Sequence, residues 1–354
     1  MKTNILLAVC GILFATACHP VAEFLSEEGT GSLVISVSSQ DGLSTKSDTS
    51  PAGKDAYLHD VQVFIFRTDG SLYSLSSFPE NVTTQSVEGV KAGYYQVVAV
   101  ANGPDLSSVR TRSELEQKQI TLSLNDPDKG FLMYGASEGN VVVSSGAASQ
   151  TSVSIALKRH VGRVRLTTVR NNLPSDYGSL KVESVFLENA LGNWTYQASG
   201  DPSGYVNLAG RKSGRSTSTN ASDFIVTAGD AECAALTFRG TDRTVARGET
   251  PESFNLSFYT FPNKLSANDD HFSGATAEAA CARLVLLVSY GTGGERWYYP
   301  VTVPQLERNK SYDVSFVISG PGSSDPNQQV TNGNLSVEVS VKTWEEGSEF
   351  NGDF

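Results

Sequence analysis

The chain reads as all-β: two β-sandwich domains in tandem, with one short helix in the first. Three observations carry that reading. Segments in which apolar and polar residues alternate recur from Gly31 almost to the C-terminus. Turn signals stand between them, at Asp69-Gly70, Asn102-Gly103, Asn332-Gly333 and Gly291 to Gly294. Only one stretch carries the marks of a helix. Many short strands joined by regular turns bury their apolar faces by stacking sheet on sheet.

In chain order, the first strand is predicted over 31–38, around "LVISV", where Leu33, Ile35 and Val37 alternate with small or polar residues. A loop over 38–57 follows, polar, rich in Ser, Thr, Asp and Gly, with Lys46 near its middle. "DVQVFIF" and "YYQVVAVA" are the next strands, apolar enough to be buried on both faces. The helix lies in "SSVRTRSELEQKQI", where Thr111 or Ser113 can cap it and Glu114 or Glu116 stands three positions on, as in a capping box. "NVVVSS" and "TSVSIALKR" close the first domain. "GRVRLTTV", "KVESVFLEN", "ECAALTF", "FNLSFYTF", "ARLVLLVSY", "RWYYPVTV", "YDVSFVI" and "LSVEVSVKTW" are the strands of the second.

The boundary falls in "LKRHVGRVRL", where one strand ends on a basic step and another begins at once. The domains are therefore 18–160 and 161–354, after a leader over 1–17. The loops "AGRKSGRSTSTNASD" and "SGPGSSDPNQQVTNGN" read as solvated connectors.

The leader has Lys2, an apolar run "ILLAVCGILFATA" and small residues before Cys18, which is the pattern of a secretory signal. Its end resembles the bacterial lipobox, with Ala15 where Leu is usual. Cys18 is thus the expected lipidation site and new N-terminus, and the expected location is the cell envelope. Cys233 and Cys281 remain; in an oxidising compartment they can pair, or they can stay two buried thiols.

The net charge is −11, and no Lys/Arg cluster interrupts the acidic balance, so no nucleic-acid partner is expected. His19, His59, His160 and His271 are scattered, and neither H-E-x-x-H nor C-x-x-C occurs. "NDDHF" reads as a solvated turn. "NDPDKG" spaces Asp126, Asp128 and Gly130 like the start of a calcium loop but lacks its later ligands. The acidic cluster Glu345, Glu346 and Glu349 lies in a polar tail, not across a cleft as a glycosidase needs. Trp194, Trp297 and Trp344 each sit in or beside a strand pattern and read as core. No cofactor, metal or catalytic residue is expected, and the chain is not read as an enzyme.

The ordered set of signatures resembles one family along nearly the whole chain. A lipoprotein leader is followed by a strand and a polar loop with a basic residue, then "VQVFIFRTDGSLY", "GYYQVVAVANGPDL", "TRSELEQ" and "FLMYGASEGNVVV". "SVSIALKRHVGRVRL", "FYTFPNKL" and a closing "LSVEVSVKTW" complete it. The set is similar to the fimbrillin superfamily, type V pilus subunits and related envelope lipoproteins of Bacteroides-like bacteria. The resemblance implies transthyretin-like sandwiches and a structural subunit of a surface pilus or fimbria, as stalk, tip or anchor, mediating adhesion. It also implies partners: other pilus subunits, the outer membrane through lipid on Cys18, and a trypsin-like protease. Cleavage at Lys46 would release the first strand (Leu33, Ile35, Val37), and a strand from another subunit would replace it. The candidate donor is 335–342, with Leu335, Val337, Val339 and Val341 on one face. The family protease usually prefers Arg, and Lys46 is a Lys; an uncut loop would leave a lipid-held anchor. On this reading the protein is surface-exposed on the outer membrane, or in the fimbrium if processed. The alternative is a surface glycan-binding lipoprotein, which would show an exposed row of Trp and Tyr.

Overall fold

The computed structural model describes residues 29–39, 57–80, 82–146, 149–206, 232–266, 280–326, 328–331 and 333–344. The chain is mostly β, as expected. In the first half run β1 (Thr30–Ser39), β2 (Val61–Arg67), β3 (Leu72–Phe78), β4 (Thr84–Lys91), β5 (Gly93–Ala101), α1 (Arg112–Gln117), β6 (Gln119–Thr121), β7 (Met133–Ala136), β8 (Val141–Val143) and β9 (Gln150–Arg159). They form a sheet of order β3-β2-β5-β7-β9-β1-β4, with β8 also on β5. The sheet folds over on itself. Val61, Val63 and Ile65 of β2 face Leu33, Ile35 and Val37 of β1 across one core, together with Val97, Ala99 and Ile155.

The opposite face of β2 and β5 is buried too. Phe64, Phe66, Val98 and Val100 enter a second and larger core, which explains why these strands read as continuous apolar runs. Gln62 interrupts the run at little cost. It is 4% exposed, its amide donates to the Pro104 carbonyl at 2.8 Å, and its oxygen accepts from the Leu106 N–H at 2.9 Å. The helix begins where predicted: Thr111 caps α1 and accepts from the Glu114 N–H at 3.2 Å. The reciprocal bond is shifted by one residue, for Glu114 accepts from the Arg110 N–H rather than from the cap itself.

The second half holds β10 (Gly162–Asn171), β11 (Leu180–Glu188), β12 (Ala190–Thr195), β13 (Ser203–Val206), α2 (Ala234–Thr237), β14 (Phe238–Val245), β15 (Glu252–Thr260), β16 (Ala282–Tyr290), β17 (Glu295–Val303), β18 (Lys310–Ile318) and β19 (Leu335–Thr343). Two four-stranded sheets, β15-β10-β18-β19 and β14-β11-β16-β17, enclose the larger core. Residues 160–161 are the whole connection between β9 and β10. "ECAALTF" is not a strand. Ala234–Thr237 make one helical turn that buries Leu236 and Thr237, and the strand starts only at Phe238. The alanines favour that turn, and alternation over so few residues could not exclude it. "SGPGSSDPNQQVTNGN" is more than a solvated connector, since Ser323 pairs with Tyr298 in both directions and Val330 packs on the core.

The halves are welded. β6 of the first pairs with β12 of the second in the sheet β13-β12-β6, and the larger core runs through both. His160 is fully buried at the joint. Its Nδ1 is 3.3 Å from the Leu132 carbonyl oxygen and its Nε2 is 2.8 Å from that of Tyr196.

Candidate functional site

β1 has a period of two because, from Ser32 to Ser38, its outward residues are Ser or Val and its inward ones, Leu33, Ile35 and Val37, are large and apolar. Leu33 and Ile35 are fully buried and Val37 is 2% exposed. All three sequence-identified residues on this strand therefore face the core. The strand is not at an edge. It pairs in parallel with β9, Ile35 opposite Val153 and Val37 opposite Ile155, and antiparallel with β4, Ile35 opposite Gln85 and Leu33 opposite Val87. Main-chain bonds beyond the ladder fix it further, from Ser32 N–H to Ser149 O at 3.0 Å and from Val37 N–H to Thr83 O at 2.8 Å. Gly31 admits a close approach at the strand's start: a Cβ there would stand 2.5 Å from the Ser144 carbonyl oxygen.

An interior strand with alternate residues buried contributes on both faces and both flanks. Burial of each of the three apolar side chains is worth about 1.5–3 kcal/mol. β4 hangs on the sheet through β1, since it is the terminal strand of the order. Loss of β1 would thus expose the smaller of the two cores and detach β4 with it. The partners Thr84, Val87, Val153 and Ile155 were not legible as such; no local signal pairs residues 48 to 118 positions apart.

The other predicted strand of interest is β19. It folds back on its own domain, antiparallel to β18, with Val337 opposite Phe316 and Val339 opposite Val314. Its four apolar residues differ in depth. Leu335 and Val337 pack against the core, whereas Val339 is 38% and Val341 57% exposed. β19 is the end strand of its sheet, so one flank of its backbone is open.

Trp344 anchors the end of β19. It is fully buried, stacks on Tyr259 at 5.5 Å between centroids, and meets Phe131 of the first half edge-on at 5.2 Å. The guanidiniums of Arg159 and Arg163 lie 4.6 and 4.7 Å from its ring. Asp313 holds the neighbouring row together, accepting two bonds from Arg165 at 2.9 and 2.6 Å and one from Lys342 at 3.0 Å. Burial alone would raise the Asp313 pKa, but these cations outweigh it and hold the carboxyl below its ordinary range.

A buried interior strand near the N-terminus and an edge strand near the C-terminus accompany a specific family match. The family model of fimbrillin-A associated anchor proteins Mfa1 and Mfa2 matches residues 43–349. The chain belongs to that family. It is therefore a member of a fimbrial, cell-surface group of structural proteins. Solved structures share this chain's fold. A putative cell adhesion protein from Bacteroides eggerthii has a TM-score of 0.62 at 19% identity, covering 89% of this chain and 96% of that one. A fimbrilin from Porphyromonas gingivalis has a TM-score of 0.59 at 16% identity, covering 89% and 98%. A putative cell adhesion protein from Parabacteroides distasonis has a TM-score of 0.53 at 19% identity, covering 90% and 100%. No curated protein matches.

The remaining sequence-identified residues fall in three places. Cys18, Lys46, His19, His271 and "NDDHF" lie outside the described residues. Trp194 is 6% exposed and donates through Nε1 to the Ser199 and Gly200 carbonyls; Trp297 is partly buried against the core. The three tryptophans thus offer no exposed row for sugar stacking. Asp126 is used within its own turn, where Oδ1 accepts from the Asp128 N–H at 2.8 Å and Oδ2 pairs with Lys129 at 3.2 Å. Cys233 and Cys281 are buried thiols, Cys281 Sγ lying 3.6 and 3.5 Å from the Leu265 and Ser266 carbonyls.

Proposed function

We propose that this fimbrial-family chain is a structural subunit of a cell-surface pilus that assembles by strand exchange, after a protease has cut the loop between β1 and β2. Lys46 is the cleavage site, and lipid on Cys18 holds the uncut form at the outer membrane. The observation that supports this best is the setting of β1: interior, paired on both sides, and joined to the rest of the fold only through the polar stretch that holds Lys46.

The physics follows from that setting. A cut after Lys46 leaves Leu33, Ile35 and Val37 held by non-covalent contacts alone, on a peptide that continues to the lipid. Departure of the strand would expose two ladder edges and an apolar trough, a state that costs a large part of a domain's usual margin of about 5–15 kcal/mol. An incoming extended strand with the same alternation restores both. The face of β19 made by Leu335, Val337, Val339 and Val341 has that alternation, and two of these residues are already half out of their own core. An uncut chain would instead act as an anchor, with lipid burial at about 0.8 kcal/mol per CH₂ keeping it in the membrane.

Limited digestion of the unlipidated protein with a Lys-specific protease tests the reading. Selective trimming near Lys46, followed by oligomers in size exclusion, is expected, and Lys46→Ala should block trimming while leaving the melting temperature unchanged. A trimmed chain that remains a stable monomer retaining its first strand would sink strand exchange for this protein.

A further inference from the structure

The sheet of the first half parts along one seam. β9 is bonded to β1 along Gln150 to Leu157, but to β7 only at Arg159 and Lys158. Beyond Tyr134, β7 follows β5 and the chain swings outward through Ser137 to Asn140 before β8 returns to β5. A groove of about 1070 Å³ lies along this seam. Its floor is the outward row of β9, with the small side chains of Ser152, Ser154 and Ala156. Its end is closed by Lys158 together with Arg308, Asn309 and Lys310 from the second half.

Arg308 is the unusual member. Its Nη2 donates to the Lys158 carbonyl at 3.3 Å, and its guanidinium lies 6.0 Å from the Trp194 ring centroid. Its Nε is buried with no acceptor. Among the described residues no carboxylate forms an ion pair with Lys158, Arg308 or Lys310. Burial lowers the Arg308 pKa to about 10, which still leaves it cationic at neutral pH. A desolvated planar fork with most of its donors unused matches a carboxylate better than it matches water.

We propose that this groove binds an extended acidic peptide segment of a partner polypeptide, laid along β9 with one carboxylate on the Arg308 guanidinium. Three features select that occupant. The outward row of β9 at Ser152, Ser154 and Ala156 is exposed along the groove, so an extended main chain can be laid over it. The floor residues are small enough for a backbone to lie on them. In an extended peptide every second side chain points the same way, roughly 6.6–6.8 Å apart, so a row of acids can meet Lys158, Arg308 and Lys310 in turn. Glu138, at the loop side, and Glu307, beside Arg308, disfavour acids elsewhere in the groove and so fix the ligand's register. The site is complete with β1 in place, and so stands apart from strand exchange.

The test is fluorescence anisotropy with a labelled peptide of about ten residues alternating Glu and Ser, against its Gln–Ser counterpart. The acidic peptide should bind, weaken as salt rises, and lose at least about tenfold affinity with Arg308→Gln, while the neutral peptide should not bind. If Arg308→Gln does not fold, Lys158→Gln combined with Lys310→Gln carries the test with the same expected direction. Failure of the acidic peptide to bind, equal binding of the neutral one, or indifference to these substitutions overturns the proposal. Displacement by inorganic sulfate as effective as by unlabelled peptide overturns the peptide occupant in favour of a general anion site.

Discussion

Two buried titratable residues give the protein opposite pH sensitivities. His160 sits between two carbonyl oxygens, yet burial and the nearby Arg308 lower its pKa to about 4. The unfolded chain therefore takes up a proton near pH 6.5 that the fold refuses until about pH 4. Stability from this residue is full above pH 6.5 and falls through that window, by about 3 kcal/mol at most. Glu188 behaves in the reverse sense. It is fully buried, and desolvation, only partly offset by Arg283, raises its pKa to about 8. Its contribution is present below about pH 4.5 and is lost as pH rises toward 8, because the unfolded chain ionises first. Urea midpoints measured from pH 4 to 8 should accordingly fall off at both ends. His160→Gln should flatten the acid limb, and Glu188→Gln should raise the midpoint at pH 8 while changing little at pH 4.5. A midpoint of Glu188→Gln that drops at pH 8 would refute the assignment.

At the scale of elements, β1 and β19 have similar alternation and opposite settings. Ile35→Ala removes a fully buried side chain between two ladders and should cost about 2–5 kcal/mol in chemical denaturation. Val341→Thr alters a mostly exposed position and should stay within about 0.5 kcal/mol. If the two substitutions cost the same, β1 is not the interior strand described. Trp344→Ala is expected at about 3–5 kcal/mol, since the indole is packed by both halves and covered by two guanidiniums. Strands β3, β4 and β14 went unread because their compositions, "LYSLSSF", "TQSVEGVK" and "FRGTDRTV", are polar or glycine-bearing and only half buried. Such strands exist because a neighbour pairs them, not because their own residues demand it.

Across the whole molecule, the shared sheet of β6 with β12 and the continuous larger core tie the halves into one folding unit. Calorimetry should show a single transition with matching calorimetric and van't Hoff enthalpies. In Trp344→Ala, where the joint loses its central ring, that transition should broaden or split. Two well-separated transitions in the unmodified protein would mean the joint is weaker than its packing indicates.

The sequence by itself determined the all-β class, the position and face of β1, the existence of the helix with Thr111 or Ser113 as its cap, the packing of the tryptophans against the core and the family. Each of these is written locally, in a period, a cap or an ordered set of short segments. Only the tertiary structure decided that β1 is an interior strand parallel to β9, that β19 lies at an edge of its own sheet, and that "ECAALTF" begins with a helical turn. It also decided that Arg308 and Lys158, 150 residues apart, close one groove. The physical reason is the same throughout: strand pairing is a contact between distant segments, and alternation specifies which face is buried without specifying the neighbour.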